Sequence, residues 1–358
     1  MKNILTVFLA IFALSSYAQT EIENEPYEWP YSMPIWGKKA AERGYKIQLP
    51  YGLNVNYVYN RMDLEISSFD MSIGDDPNST LNQLISEYVT LENLNFNNTI
   101  ARTSGMNIRG DIWLFPFLNV YGIYTNSTGT TEVSLQPRWF DEDGNLVISL
   151  PEITSIVDFS ADSYGFGSTI VGKLYKDYFF SIDGNITWSY SELLEQPAVF
   201  TVLSARVGDR IRFKNGSMLA LYVGGMYRGF VNQKGNNGNI AIQKALPNLG
   251  AELLPEIDRR VTANNEEIAS LDPNNPVDRI QIAKLEKQNE ILLGIETAVE
   301  GLLSSDVNYG IQKDIINHWS VQFGFNYEVN QNFTLRGEFG KGTGNDFVMM
   351  GMQYRFGI

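Results

Sequence analysis

The sequence predicts an all-β protein: a transmembrane antiparallel β-barrel of ten strands, or of twelve, with an α-helical hairpin inserted in an outer loop. Apolar and polar residues alternate over segments of about 10–14 residues, long for a soluble sheet and near the length of a tilted membrane-spanning strand. Tight and long connections follow one another along the chain. Charged residues make up only 19% while aromatic residues reach 13%, a balance expected where alternate side chains face lipid.

The chain begins with a segment typical of exported proteins. Residues 1–18, MKNILTVFLAIFALSSYA, combine Lys2, an apolar run and the small residues Ser16 and Ala18. This pattern predicts a secretory signal peptide that is cleaved near Ala18 and is too short to span a membrane as a helix. The sequence has no cysteine, so disulfides do not contribute to its stability. Because no later run of about 20 apolar residues exists, we expect any membrane crossing to be made by strands.

The strands can be followed in order along the chain. In the clearest segment, Trp319, Val321 and Phe323 alternate with Ser320 and Gln322, which is the period of a strand with one apolar face. The same alternation predicts single strands and hairpins at 52–62, 103–114, 117–126, 163–190, 198–229, 317–342 and 351–358. These segments supply ten strands, and a further hairpin within 127–162 would make twelve.

The connections between the strands differ in length in a regular way. Tight turns are predicted at 114–117, 174–177, 214–217 and 329–332. The other connections, at 63–102, 127–162, 190–198 and 230–316, are mostly long. This alternation is typical of outer-membrane barrels, which have short periplasmic turns and long external loops. An even strand count, ten or twelve, leaves both chain ends in the periplasm.

Two segments lie outside the strand pattern of the barrel, which we assign to 51–358. Residues 19–50 are rich in aromatic residues and proline, and we expect a periplasmic segment that lies at the barrel lip or enters the barrel as a plug. Residues 251–304 carry apolar residues at helical spacing on both sides of DPNNP, which predicts the helical hairpin. Its expected role is to cap or flank the barrel mouth, with binding of a protein partner as the alternative.

The chain ends on GMQYRFGI, with Gly351, Tyr354 and Phe356 in the spacing Gly-x-x-Tyr-x-Phe. This ending resembles the C-terminal signal that the barrel-assembly machinery reads in bacterial outer-membrane proteins. It departs from that pattern at Met349, where a polar residue is usual, and in ending at Ile358 and not at the aromatic residue. With GDIWLFPFLNVYGIY and YGFGSTIVGKLYKDYFFSIDGNITWSY, the sequence resembles an uncharacterised family of Gram-negative outer-membrane β-barrel proteins. The resemblance implies contact with outer-membrane lipid and implies no particular activity.

The strand parity places many charged side chains on the inward face of the barrel. We expect the lumen to be lined by Arg109, Asp111, Asp183, Arg206, Arg210, Arg212, Glu328, Arg336, Glu338 and Arg355. The three arginines at 206, 210 and 212 share one strand face, so they must meet carboxylates, water or an anion. Two functions follow from this: a structural or small-solute barrel with a largely closed polar lumen, or a narrow anion-favouring channel.

His318 is the single histidine of the chain, and Ser320 lies two residues further on the same strand face. This His-x-Ser sequence resembles the arrangement in outer-membrane lipid A deacylases, with Val321 in place of the usual Asn. The pair provides the catalytic candidates for the third alternative, a lipid-modifying hydrolase. The primary expectation is a protein without catalytic residues, cofactor or metal site. The net charge of −14 argues against nucleic acid as a partner.

Overall fold

In the computed structural model, strands dominate the described residues, which are 25–74, 76–140, 146–231, 236–241 and 249–358. The predicted signal peptide and its cleavage site lie outside them. The strands are β1 (Tyr51–Ile73), β2 (Phe96–Phe115), β3 (Leu118–Leu135), β4 (Arg138–Phe140), β5 (Leu146–Ser149), β6 (Ile153–Lys173), β7 (Phe179–Tyr190), β8 (Ala198–Arg212), β9 (Met218–Phe230), β10 (Asn236–Ala241), β11 (Asp306–Ile315), β12 (Trp319–Glu328), β13 (Phe333–Lys341) and β14 (Asn345–Phe356). The helices are α1 (Gly37–Glu42), α2 (Thr80–Tyr88), α3 (Leu91–Leu94), α4 (Leu249–Ser270) and α5 (Pro276–Leu303).

Ten antiparallel strands close into a barrel in the order β1, β14, β13, β12, β9, β8, β7, β6, β3, β2, with β2 pairing back onto β1. At the closing seam, Asn54 of β1 lies between Gln353 of β14 and Arg109 of β2. The predicted count of ten is therefore confirmed, and the alternative of twelve is wrong. The extra hairpin within 127–162 exists as β4 and β5, but they form a separate two-stranded sheet. With three and four residues they are too short to cross a bilayer.

Four strands continue well beyond the predicted boundaries. β1, β2, β3 and β6 contain 18–23 residues each. Met62 pairs with Asn345, the first residue of β14. Beyond it, β1 continues and pairs with β11 from Leu64 to Ile73, and β10 pairs with β11 in turn. The long connections of the sequence are thus partly strand. We call this side of the barrel the loop end, and the side with the turns after β2, β6, β8 and β12 the tight-turn end.

Aromatic side chains on the outward face form two belts. Near the loop end, ring centroids lie 5.2 Å apart for Tyr124 and Tyr164 and 5.4 Å apart for Tyr227 and Trp319. Near the tight-turn end, Tyr327 packs on Phe213 and Tyr51 on Phe356. Trp319 and Tyr327 share a face of β12 and are eight residues apart, roughly 26 Å of strand before tilt is considered. This spacing suits an apolar band of about 25 Å bounded by aromatic girdles.

The side chains of β14 alternate between the outward and inward faces of the barrel. Met350, Met352 and Tyr354 point outward and are 48–56% exposed, whereas Arg355 points inward and is 4% exposed. Gly351 points inward at a place where β14 and β1 approach closely. A Cβ atom there would lie 2.5 Å from the carbonyl oxygen of Val55 and would collide with the side chain of Asn56. The glycine of the terminal pattern therefore has a packing role in the folded barrel.

We expect Gly351→Ala to lower the stability of the barrel by about 1–3 kcal/mol, because the added methyl group forces backbone of two paired strands apart. The measurement is the denaturant midpoint of the purified protein, followed by the gel shift between folded and heated samples. Gly225→Ala is the matched control, since a Cβ there meets no heavy atom within 4 Å. Equal midpoints for the two variants would contradict the close approach at Gly351.

The helical hairpin lies at the loop end, as predicted. Asn275 begins α5 by accepting a hydrogen bond from the Val277 amide at 3.0 Å, with Pro276 at the first helical position. Along α5, Gly294 lies under Tyr88 of α2. Its apolar stripe joins one buried core with residues of α2, α4 and the β4–β5 hairpin: Ile85, Tyr88, Trp139, Leu150, Leu253, Ile257, Leu292, Ile295, Val299 and Leu302. We call α2, α4, α5 and the β4–β5 hairpin the helical cap.

Residues 25–50 lie at the tight-turn end. The Ile35 amide donates to the carbonyl of Leu114 at 2.8 Å, and the Trp36 ring packs on Phe115 at 5.0 Å. Further along, Gln48 donates to Glu328 at 2.8 Å. The segment has a small core of its own, formed by Trp29, Ala41 and Leu49 with Tyr31 and Ile47. The described part of the N-terminal segment thus contacts the strand ends around the tight turns.

Candidate functional site

Polar side chains from all ten barrel strands meet in the lumen towards the tight-turn end. We call this set the polar layer. Its members are Asn54 of β1, Arg109 and Asp111 of β2, Asn119 and Tyr121 of β3, Thr169 of β6, Asp183 of β7, Arg206 of β8, Tyr222 of β9, Gln322 of β12, Glu338 of β13, and Gln353 and Arg355 of β14. Each strand contributes because inward positions recur at every second residue.

Asp111 is the centre of the polar layer at the closing seam. Its carboxylate is fully buried and accepts hydrogen bonds from Asn54 at 2.9 Å, Asn119 at 2.6 Å and Gln353 at 3.2 Å. The guanidinium of Arg355 pairs with the same carboxylate at 2.5 Å. A buried carboxylate is tolerated when its oxygens are paired in this way. The cluster joins β1, β2, β3 and β14, so it connects the first strand of the barrel to the last.

A second part of the polar layer combines an arginine, a tyrosine and a carboxylate. The guanidinium of Arg109 lies 3.4 Å above the Tyr121 ring centroid, a cation–π contact. The Tyr121 hydroxyl donates to Asp183 at 3.0 Å, and Arg109 approaches the same carboxylate at 3.9 Å. Gly167 on the adjacent strand leaves room for the ring, because a Cβ there would lie 2.6 Å from it. The charge of Arg109 is therefore compensated on two sides.

The same combination recurs across the lumen. Arg206 lies 3.3 Å from Glu338 and 5.5 Å above the ring of Tyr222. The Tyr222 hydroxyl donates to Glu338 at 2.9 Å, and the Gln322 amide donates to it at 2.5 Å. The three arginines of the layer, at 109, 206 and 355, thus face three carboxylates, at 111, 183 and 338. The layer is charge-balanced and internally hydrogen-bonded, which is how a protein fills a lumen with polar side chains.

The other predicted lumen residues lie elsewhere. Arg212 pairs with Asp177 at 3.1 Å beside a tight turn, and Arg210 lies 4.8 Å above the ring of Phe179. Glu328 is the partner of Gln48. Arg336 is half-buried on the inward face of β13, and it shows no hydrogen bond or ion pair to the part of the chain that the structure describes. The predicted arginine row is therefore divided, with only Arg206 in the polar layer.

Tyr121, Tyr222 and Gln322 are members of the layer that the sequence did not single out. The alternation of residues along the strand could have identified Tyr121. It shares its strand face with Asn119 and Thr125, so an aromatic ring lies on an otherwise polar face. An inward tyrosine beside arginines and acids is a candidate for cation–π and hydroxyl contacts.

His318 and Ser320 are not joined by a hydrogen bond. The Nδ1 atom of His318 lies 2.8 Å from the carbonyl oxygen of Arg228, and its ring packs on Tyr227 at 5.1 Å. Its Nε2 atom lies 3.7 Å from Asp314. The Ser320 hydroxyl is buried and has no partner among the described residues. The imidazole is thus engaged by the backbone and by an outward tyrosine, and the geometry of a nucleophile and its base is not formed.

Above the polar layer, towards the loop end, the lumen widens into a chamber of about 500 Å³. Its floor is polar, with Asn60, Asn107 and Ser163 among the residues there. Its upper walls and roof are apolar and include Leu64 of β1 and Val299 of the helical cap. Tyr88 also forms part of the roof. Burial, together with the neighbouring Glu87, raises the pKa of Tyr88 to about 12.

A closed ten-stranded barrel with outward aromatic belts and a polar layer across its lumen is a transmembrane β-barrel. Among solved structures, the chain is similar to the β domain of the Bordetella autotransporter Brka, with 10% identity and a TM-score of 0.32, over 86% of this chain and 100% of that one. It is also similar to the transport unit of the autotransporter AIDA-I from Escherichia coli, with 9% identity and a TM-score of 0.30, over 86% of this chain and 90% of that one. An outer membrane channel from Pseudomonas putida matches with 9% identity and a TM-score of 0.30, over 87% of this chain and 97% of that one.

At these identities and scores, no functional property passes from those proteins to this chain. No protein-family model matches the sequence, and no curated protein matches it. The resemblance to an uncharacterised outer-membrane family therefore stays a prediction. Within the described residues, no helix has the length and apolar character needed to cross a membrane. In the same part of the chain, no group of three or more histidine or acidic side chains is arranged to hold a metal ion.

Proposed function

We propose that the protein is an integral β-barrel of the bacterial outer membrane, with a structural or small-solute role and a lumen that does not conduct ions. The observation that carries this proposal is the polar layer, to which all ten strands contribute side chains. Each of the three arginines of the layer has a carboxylate within 4 Å, while the inward Arg336 of β13 beside the layer has no such partner among the described residues. An eight-stranded barrel is filled by side chains and a sixteen-stranded one leaves a channel, so ten strands leave a space that such a layer can close.

The membrane location is supported by the outer surface of the barrel. The outward residues between the two aromatic belts are apolar and exposed, among them Phe166, Leu203, Val321 and Met350. Exposed apolar side chains in a continuous band are unfavourable in water and favourable against lipid. The leader-like segment at residues 1–18 is consistent with export. The expected lipid partner is the hydrocarbon core of the outer membrane.

The orientation and assembly of the barrel follow from its two ends. The tight turns and residues 25–50 face the periplasm in this proposal, and the helical cap faces outward. Gly351, Tyr354 and Phe356 form the segment that the barrel-assembly machinery reads. Tyr354 and Phe356 are suited to recognition because they project outward from the terminal strand. The helical cap covers the loop end, and its binding of a protein partner is the alternative role.

Conductance in planar bilayers tests the closed lumen. We expect purified wild-type protein to give no stable current steps. A variant with Arg109, Tyr121, Arg206 and Tyr222 all changed to Ala should conduct, because it removes the side chains that fill the layer. That variant also serves as the control for successful insertion. Stable anion-favouring steps from the wild type, abolished when Arg206, Arg210 and Arg212 are changed to Gln, would overturn the proposal in favour of the narrow channel.

A further inference from the structure

The chamber above the polar layer has a polar floor and an apolar roof. On the floor, the Asn107 amide donates to Thr125 at 2.8 Å, and the hydroxyls of Ser163 and Ser189 lie 2.7 Å apart. These groups satisfy each other and present a polar surface. Six residues above Asn60, β1 presents Ile66, and the roof is formed by apolar side chains of the cap such as Ile295. A volume of about 500 Å³ lies within the range of small-molecule sites, about 300–1,000 Å³.

Two cationic side chains line this chamber. Lys313 projects from the inward face of β11, opposite Ile66. Its ammonium group makes no hydrogen bond or ion pair with any residue that the structure describes. Arg228 stands on the floor and is 4% exposed. Its guanidinium bonds to the neutral amide oxygens of Asn60 and Asn345, and no carboxylate pairs with it in the described part of the chain.

This arrangement differs from that of the polar layer below. There, each arginine has a carboxylate within 4 Å, as between Arg206 and Glu338. Lys313 is half-buried, and a partly desolvated ammonium group without a partner is less favourable than one in bulk water. An anion that enters the chamber offsets this cost, because it accepts hydrogen bonds from the ammonium group of the lysine. Because the upper walls are apolar, the anion must carry a hydrocarbon portion to fill the space.

We propose that the chamber binds a single-chain amphiphile with an anionic head group, whose head pairs with Lys313 and whose hydrocarbon chain lies under the helical cap. The positive charge of Arg228 on the floor adds to the attraction for the head group. This proposal rests on the proposed function in one respect, since the polar layer is the floor that closes the chamber. The source of the ligand is a free fatty acid or a single-chain lipid, and both share this chemistry.

Equilibrium binding to the purified full-length protein in amphipol tests the proposal, with labelled palmitate as the probe. We expect saturable binding of palmitate by the wild type. Lys313→Gln should weaken palmitate binding about tenfold, as expected for a lost charge-assisted hydrogen bond, and leave hexadecanol binding unchanged. Lys214→Gln is the matched control, because Lys214 lies on an exposed tight turn. Ala101→Phe should weaken both ligands by filling the chamber.

Absence of saturable palmitate binding, or equal losses for Lys313→Gln and Lys214→Gln, would overturn the proposal. A loss of hexadecanol as large as that of palmitate in Lys313→Gln would overturn the role of Lys313. Binding of palmitoyl lysophosphatidate is measured in parallel and supports the proposal if it also depends on Lys313. The ligand with the higher affinity, lysophosphatidate or palmitate, identifies the source as a single-chain lipid or a free fatty acid. Conduction by a wild type that still binds palmitate contradicts the closed lumen alone.

The fold of Lys313→Gln can be checked independently of binding. Removal of an unpartnered charge from the chamber should keep or raise the thermal stability of the ligand-free barrel. Lowered stability in ligand-free protein would show that Lys313 serves the fold and would contradict a binding role.

Discussion

Replacing Asp111 with Ala is expected to destabilise the barrel by about 3–5 kcal/mol, the cost of removing one partner of a buried ion pair. The change leaves the Arg355 guanidinium buried without its carboxylate, and the amides of Asn54, Asn119 and Gln353 lose their common acceptor. Because these side chains join β14, β1 and β2, the loss falls on the closing seam of the barrel. The measurement is the free energy of unfolding in denaturant, read by tryptophan fluorescence.

The control for Asp111→Ala is Glu132→Ala. Glu132 pairs with Arg102 at 2.8 Å, but both side chains are about one-third exposed, at 31% and 37%. Ion pairs of this kind contribute less than about 1 kcal/mol. Asp111→Asn should fall between the two, because it keeps an acceptor oxygen and loses the charge. A similar loss for Asp111→Ala and Glu132→Ala would show that the seam does not depend on this cluster.

The second large effect is expected in the helical cap. Leu292 of α5 is 1% exposed and belongs to the buried core that the cap residues share. Leu292→Ala should cost about 2–5 kcal/mol, from the lost apolar contact and from the cavity that remains. The cap, and not the barrel, should open first, so the measurement is hydrogen exchange of the α2 and α5 amides.

Leu293→Ala is the matched control for this prediction. The neighbouring Leu293 is the same residue type on the same helix but is 48% exposed, so its truncation should change exchange little. We expect strand amides of the barrel to be unaffected in both variants. Faster exchange in the barrel strands of Leu292→Ala would mean that cap and barrel unfold as one unit. Equal exchange in the two variants would contradict the buried position of Leu292.

The polar layer and the chamber divide the lumen into two environments with different chemistry. In the polar layer, arginines pair with carboxylates and the side chains fill the lumen. In the chamber, Lys313 lies near apolar walls, whereas Arg228 bonds to the amide oxygens of Asn60 and Asn345 on the floor. No carboxylate is among the described residues that line it. A stability role accounts for the first arrangement, because paired groups such as Arg206 of β8 and Glu338 of β13 connect strands that are not neighbours in the sheet. The second arrangement is better explained by a ligand that supplies the missing anion.

The amino-acid sequence alone determined the barrel, the segments that form its ten strands and the position of the tight turns. Inward and outward faces follow from a period of two, and Lys214 to Ser217 with Asn215-Gly216 at the centre makes a hairpin turn through local backbone preferences. The helical hairpin could also be predicted from local sequence, because the helical spacing of apolar residues on both sides of DPNNP involves only residues that are close along the chain. For the same reason the outward positions of Tyr354 and Phe356 follow from the alternation of the last strand.

The tertiary structure alone decided which inward side chains meet. Parity placed Arg206, Arg210 and Arg212 on one face, but only Arg206 reaches Glu338, which is 132 residues away along the chain. Such partners depend on how far each strand is staggered against the next around the closed barrel, and that stagger is a sum over all ten pairings. The length of β1 beyond Met62 was set in the same way, by its pairing with β11. The chamber exists because distant strands and helices enclose it, which no local pattern specifies.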